Sequence, residues 1–107
     1  MIELYLENIK NMTIGEIKIK IKKIEPFLKE KFLVKKIGIF GSYSRGEQRK
    51  GSDVDILVEF SEEPSLFKFL ALEEFLSRIL KLKVDLVMRG ALKPYIGKHI
   101  IEEVINI

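Results

Sequence analysis

Apolar residues recur at intervals of three and four near the start of the chain and predict an amphipathic helix. They are Ile14, Ile17, Ile21, Ile24 and Leu28. Thr13 and Glu16 have the spacing of a capping box, so the helix is expected to begin beside them. Alternation over residues 17–21 would also suit a strand, but the longer period favours a helix with a possible kink at Pro26.

Short apolar runs rich in β-formers alternate with further helical patterns in the rest of the chain. Strands are predicted at Val34 to Phe40, Asp53 to Phe60 and Val84 to Met88, helices at Ser65 to Leu80 and over residues 94–106, and a short helix or loop over residues 42–51. This order predicts an α+β (α/β-like) fold, a small mixed β-sheet covered by helices. Because only about ten residues join the first two strands, they are expected to be antiparallel neighbours.

Length and composition limit what such a fold can do. The 107 residues suit one domain over residues 12–107, preceded by an N-terminal arm over residues 1–11. There is no apolar run long enough for a bilayer and no signal-peptide pattern, which predicts a cytoplasmic protein without a membrane partner. With no cysteine and one histidine, a bound metal would need oxygen ligands. The net charge of +3 is spread over interleaved charges, so nucleic acid is not expected as a direct ligand.

Asp53 and Asp55 are the first candidate functional residues. Two positions apart in a predicted strand, their side chains point to one face, near enough to share a cation. Without a counter-ion one of the two carboxylates would tend to stay protonated, and a pair of this kind suits Mg²⁺, which also takes waters and phosphates. The alternative is structural, with Asp53 in a turn and Asp55 solvated.

Two further features extend this pair. Gly41 and Ser42 lie where a strand ends and a helical turn could begin, a place that attracts phosphate, although a simple helix cap is the alternative. Asp85 interrupts an apolar strand, and a buried carboxylate there would need a partner such as a metal shared with Asp53 and Asp55. The alternative is an edge strand on which Asp85 faces water.

Gly41-Ser42, ten intervening residues, Asp53-Val54-Asp55 and the later Asp85 resemble the signature of the DNA polymerase β-like nucleotidyltransferases. The fuller string GSYSRGEQRKGSDVDILVEF is similar to the minimal nucleotidyltransferase (MNT) branch. The resemblance implies the polymerase β-like fold, ATP as nucleotide donor and two Mg²⁺ ions held by Asp53, Asp55 and Asp85. It also assigns Gly41 and Ser42 to the triphosphate, and Asp85 to the incoming hydroxyl as well.

Arg45 stands four residues after Gly41, and it is expected either to contact phosphate or to be an exposed structural arginine. In the MNT family this domain is the antitoxin partner of a HEPN ribonuclease toxin and transfers AMP to a toxin tyrosine, so a HEPN toxin is the partner that the resemblance implies. Transfer to a small alcohol or an RNA end, and a non-catalytic antitoxin that occludes its partner, remain as alternatives.

Overall fold

The computed structural model describes residues 12–107, and the N-terminal arm predicted over residues 1–11 lies outside the described residues. Helices and strands alternate along the chain as the hydrophobic pattern predicts. In order they are α1 (Ile14–Phe32), β1 (Val34–Phe40), α2 (Ser42–Arg45), β2 (Val54–Phe60), α3 (Leu66–Leu80), β3 (Val84–Met88), a 3₁₀ turn (Arg89–Ala91), α4 (Pro94–Glu103) and β4 (Ile105–Asn106). The α+β fold class is therefore confirmed.

Both long helices begin at a side-chain cap. The Thr13 hydroxyl accepts a hydrogen bond from the Glu16 N–H at 3.2 Å, and the Ser65 hydroxyl accepts one from the Lys68 N–H at 3.2 Å. Each bond satisfies an N–H group that has no partner within its helix. The cap predicted at Thr13 is thus present, and α1 continues through Pro26.

The four strands form one sheet in the order β3-β2-β1-β4. β1 and β2 are antiparallel, as the short connection predicts, and β2 and β3 are parallel. α1 packs on β1, α3 packs on β3, and the two helices contact each other. They cover one face of the sheet, where Ile39, Ile56 and Val58 are fully buried.

Side chains of α3 protect the outer edge of β3. The Val84 N–H donates to the Ser77 hydroxyl at 3.0 Å, and the Leu86 N–H donates to the Glu73 carboxylate at 2.9 Å. Unpaired N–H groups on an edge strand invite pairing with another chain. The α3 side chains therefore fix β3, and Asp85 with it, as the outermost strand of the sheet.

The prediction of a closing helix over residues 94–106 was wrong at its C-terminal end. α4 stops at Glu103, and residues 105–106 pair with β1 as the two-residue strand β4. The Ile107 N–H also donates to the Ile37 carbonyl at 3.1 Å. The backbone of residues 105–107 makes hydrogen bonds to the free edge of β1 in place of another turn of helix. A strand of two residues leaves no periodic pattern in the sequence, so this change could not be predicted.

Tyr43, in α2, is buried in the hydrophobic core with a hydroxyl group that is unpartnered within the described residues. Its side chain is 1% exposed, and its hydroxyl has no hydrogen-bond partner among residues 12–107. Burial raises the pKa of this hydroxyl. Tyr43→Phe keeps the ring and removes the unpartnered group, so we expect the free energy of unfolding to rise by about 1 kcal/mol in urea denaturation. Tyr95→Phe, at an exposed ring, should leave it unchanged, and a destabilised Tyr43→Phe would contradict the expectation.

Candidate functional site

Two carboxylates lie side by side on the face of the sheet opposite α1 and α3. Asp55 in β2 and Asp85 in β3 are register partners, so their side chains point the same way. Asp85 is exposed because β3 is an edge strand. Of the two alternatives that the sequence left open for Asp85, the structure shows the edge strand with Asp85 facing water. β3 does lie beside β2, which is the condition for Asp85 to share a metal with Asp55.

Asp53 lies one residue before β2, which begins at Val54 rather than at Asp53 as predicted. Its side chain is 43% exposed, and its Oδ2 lies 3.8 Å from Lys83 Nζ. Lys83 is itself 79% exposed, and ion pairs so open to water contribute little to stability. The Asp53 carboxylate thus remains accessible at the entrance to β2.

Gly41 brings the turn after β1 against Asp55. Its backbone angles, φ 74° and ψ −152°, belong to a region that only glycine occupies readily. A Cβ atom at Gly41 would lie 2.1 Å from Asp55 Oδ2, well inside van der Waals contact. The two halves of the predicted site, the Gly41-Ser42 turn and the carboxylates, therefore touch each other.

Ser42 is the first residue of α2, a helix of four residues. The Gly41 carbonyl accepts hydrogen bonds from the N–H groups of Ser44 and Arg45 and from the Ser44 hydroxyl. The first N–H groups of a helix have no acceptor within it. Ser42 therefore begins α2 directly after Gly41, the residue that lies against Asp55.

Glu103, the last residue of α4, is a member of this site that the sequence pattern did not predict. Its Oε2 accepts a hydrogen bond from the Gly41 N–H at 2.9 Å, and its Oε1 accepts one from Arg45 Nη1. Arg45 also donates from Nε to Glu47 at 3.3 Å. The Arg45 guanidinium therefore pairs with two carboxylates beside the turn. The only signal for Glu103 in the sequence is that it is a carboxylate near the C-terminal end of a helix. That end carries a partial negative charge and therefore disfavours acidic side chains.

Asp55 has an unusual ionisation. Burial, together with repulsion from the Asp85, Asp53 and Glu103 carboxylates, raises the pKa of Asp55 to about 6, against an opposing effect of Arg45. Burial also works against ionisation of Glu103, but its hydrogen bond from Gly41 and its contact with Arg45 lower the pKa of Glu103 overall. Carboxylates are therefore crowded around Asp55, and the nearby positive charge of Arg45 is too weak to keep Asp55 ionised at its ordinary pKa.

A divalent cation fits this arrangement. Within residues 12–107, no three carboxylate or imidazole groups converge on one point as a ready-made metal cluster. Mg²⁺ needs no such cluster, because it typically takes one or two carboxylates and completes its shell with waters and phosphates. Asp55, whose carboxylate resists ionisation because it is partly buried and like charges surround it, could hold Mg²⁺ with Asp53 or Asp85.

Comparison with known proteins identifies the class of this site. The sequence profile of the family described as "Nucleotidyltransferase domain" matches residues 21–107. A protein of Methanocaldococcus jannaschii, named as a candidate protein adenylyltransferase, is 55% identical over 89% of this chain and 98% of its own length. Protein adenylyltransferase MntA of Thermococcus cleftensis is 55% identical over 75% of this chain and 81% of its own length.

Solved structures agree with this match. A structure described as a candidate minimal nucleotidyltransferase superposes with a TM-score of 0.77 at 27% identity, over 90% of this chain and 97% of that one. A toxin–antitoxin crystal structure with AMP-PNP gives 0.69 at 27% identity, over 79% of this chain and 69% of that one. The fold and the site thus define a nucleotidyltransferase. The chain belongs to the minimal nucleotidyltransferase family that includes the protein adenylyltransferase MntA.

Proposed function

We propose that this chain is a Mg²⁺-dependent protein adenylyltransferase that moves AMP from ATP to a tyrosine of a HEPN-type toxin and thereby acts as its antitoxin. The observation that carries the proposal is the contact of the Gly41 turn with Asp55, which itself faces Asp85. The turn proposed to bind phosphate and the carboxylates proposed to bind metal therefore lie next to each other. The name of the MntA relative and the toxin–antitoxin complex with AMP-PNP support the choice of donor and acceptor.

Each residue has a role in this proposal. Gly41 and Ser42 bind the triphosphate through the turn, since glycine permits close approach and the serine hydroxyl adds a donor. Mg²⁺ would be held on the open face of the sheet by pairs of carboxylates, Asp55 with Asp53 and Asp55 with Asp85. When bound there, Mg²⁺ neutralises phosphate charge and lowers the pKa of the attacking hydroxyl.

The chemistry then needs a hydroxyl and a proton acceptor. The tyrosine oxygen attacks the α-phosphorus, a new P–O bond forms, and the bond to pyrophosphate breaks. The proton of the hydroxyl passes to Asp85, which is exposed and so open to an incoming side chain. Because Asp85 lies beside Asp55 in register, the acceptor oxygen can approach on the same face that holds the donor.

Labelling with α-labelled ATP tests the proposal. We expect the chain, with Mg²⁺, to transfer label to a cognate HEPN protein, and the label to disappear when the acceptor tyrosine is replaced by phenylalanine. Asp53→Ala combined with Asp55→Ala should lower the rate at least about 100-fold, since a metal supplies several kcal/mol of transition-state stabilisation.

The matched control for this double variant is Glu62→Ala with Glu63→Ala, which removes two exposed carboxylates from the loop after β2 and should leave labelling unchanged. Labelling that survives the loss of Asp53 and Asp55 would overturn the mechanism. Full neutralisation of the toxin by the Asp53/Asp55 variant without labelling would show that the chain acts by occlusion. Label on RNA or on a small alcohol would change the acceptor and keep the enzyme.

A further inference from the structure

Glu103 connects two distant parts of the chain at the proposed nucleotide site. It contacts Gly41, 62 residues away, and Arg45, 58 residues away, with one carboxylate oxygen on each. These two residues stand immediately before α2 and at its end. A single carboxylate therefore holds both ends of the turn that lies against Asp55.

The local structure of α4 does not favour this carboxylate. The C-terminal end of a helix carries a partial negative charge and prefers basic side chains, yet α4 ends in Glu102 and Glu103 with no basic residue in its last turn. Residues that break a local rule are often found at functional sites. Helix stability therefore does not explain a carboxylate at position 103, whereas its hydrogen bonds with Gly41 and Arg45 do.

The chain after Glu103 is anchored on the sheet. A Cβ atom at Gly38 would lie 2.6 Å from Val104 Cγ2, so Val104 packs directly on the backbone of β1. β4 then pairs with β1 at Gly38 and Ile39. Because these contacts fix the backbone on one side of Glu103, its side chain is held at a defined place relative to the Gly41 turn.

We propose that Glu103 is a positioning residue for nucleotidyl transfer, which sets the place of the Gly41 turn relative to Asp55 and keeps Arg45 beside it. This inference rests on the function proposed above. Glu103 acts through the turn and not on the reacting atoms. A misplacement of about 1 Å in an active site can cost about 100-fold in rate, and Gly41 has no room to move toward Asp55.

Substitutions at α4 test this role. Glu103→Ala is expected to lower kcat at least about tenfold, with a smaller change in the Kd of an ATP analogue in Mg²⁺. Glu102→Ala is the matched control, because it removes the same charge from an exposed side chain at the same helix end. Glu103→Gln keeps an oxygen that can accept from the Gly41 N–H, so it should recover a large part of the lost kcat.

The results distinguish a positioning role for Glu103 from no specific role and from competition with the nucleotide. Equal kinetics for Glu103→Ala and Glu102→Ala would overturn the proposal. Tighter binding of the ATP analogue by Glu103→Ala, with faster transfer, would also overturn it, because the carboxylate would then compete with the nucleotide. If positioning operates through Arg45, Arg45→Ala and Glu103→Ala should be non-additive in a double-mutant cycle, and full additivity would contradict that route.

A measurement independent of the acceptor separates this inference from the proposed function. Hydrogen exchange at the Gly41 amide should be slow in the parent protein, faster in Glu103→Ala and unchanged in Glu102→Ala. Slow exchange with no transfer to any HEPN protein would refute the proposed acceptor while leaving Glu103 as the residue that fixes the turn. Unchanged exchange in Glu103→Ala would overturn the positioning role whatever the acceptor.

Discussion

Gly41→Ala is expected to abolish nucleotidyl transfer while it destabilises the fold only moderately. The backbone at Gly41 has φ 74° and ψ −152°, and holding alanine there costs about 1–3 kcal/mol. The new methyl group would also lie 2.1 Å from Asp55 Oδ2 and 2.9 Å from its Cγ. Either the Asp55 carboxylate rotates away or the turn shifts, and both movements separate the two halves of the proposed site.

Gly51 provides the control for this substitution. It also has a positive φ, 86°, but a Cβ atom there would meet nothing within 4 Å in the part of the chain that the structure describes. Gly51→Ala should therefore cost about 1–2 kcal/mol of stability from backbone conformation alone and leave transfer intact. Urea denaturation and the labelling assay measure the two effects. If Gly41→Ala transfers AMP as well as Gly51→Ala, the close approach of Gly41 to Asp55 is not needed.

The parts of the fold that were predictable are those with a local signal. α1 and α3 follow from helical periodicity and their caps, and the antiparallel pairing of β1 with β2 follows from a short connection. The adjacency of Asp55 and Asp85 required only that the third strand lie beside the second. Spacing along the chain was sufficient for these features.

The parts that could not be predicted depend on contacts between distant residues. Asp85 is exposed on the outermost strand of the sheet, and its apolar neighbours in sequence could not decide between this position and a buried one. Glu103 reaches the site only because β4 pairs with β1 and stops α4 at that residue. Neither strand order nor a two-residue strand leaves a pattern in the sequence. Both determine which carboxylates surround the Gly41 turn.

Asp55→Asn is expected to slow transfer strongly and yet stabilise the metal-free protein near neutral pH. The pKa of Asp55 in the folded protein is about 6, above its ordinary value of 3.8. A carboxylate whose pKa is raised on folding favours the folded state most at low pH, and this contribution is lost as pH rises through the folded pKa. Ionised Asp55 therefore destabilises the fold above about pH 6, by about 1–2 kcal/mol after allowance for its partial exposure.

Asparagine removes that charge without changing the size of the side chain. Urea denaturation in EDTA should show the Asp55→Asn protein more stable than the parent at pH 7.5 by about 1–2 kcal/mol, with the difference vanishing near about pH 4. Glu62→Gln, at an exposed carboxylate, should show no such pH-dependent gain. Mg²⁺ with an ATP analogue should stabilise the parent and not the variant, because a ligand that binds only the folded state shifts the equilibrium toward it.

Activity should change in the opposite direction. Loss of one carboxylate from the proposed Mg²⁺ site is expected to lower the transfer rate by about 100- to 1000-fold, equivalent to about 3–4 kcal/mol in the transition state. A variant that is more stable but less active is the expected result where carboxylates that repel each other are kept together to bind a metal. An Asp55→Asn protein that is less stable than the parent at pH 7.5 in EDTA would contradict the raised pKa, and one that transfers AMP at the parent rate would remove Asp55 from the mechanism.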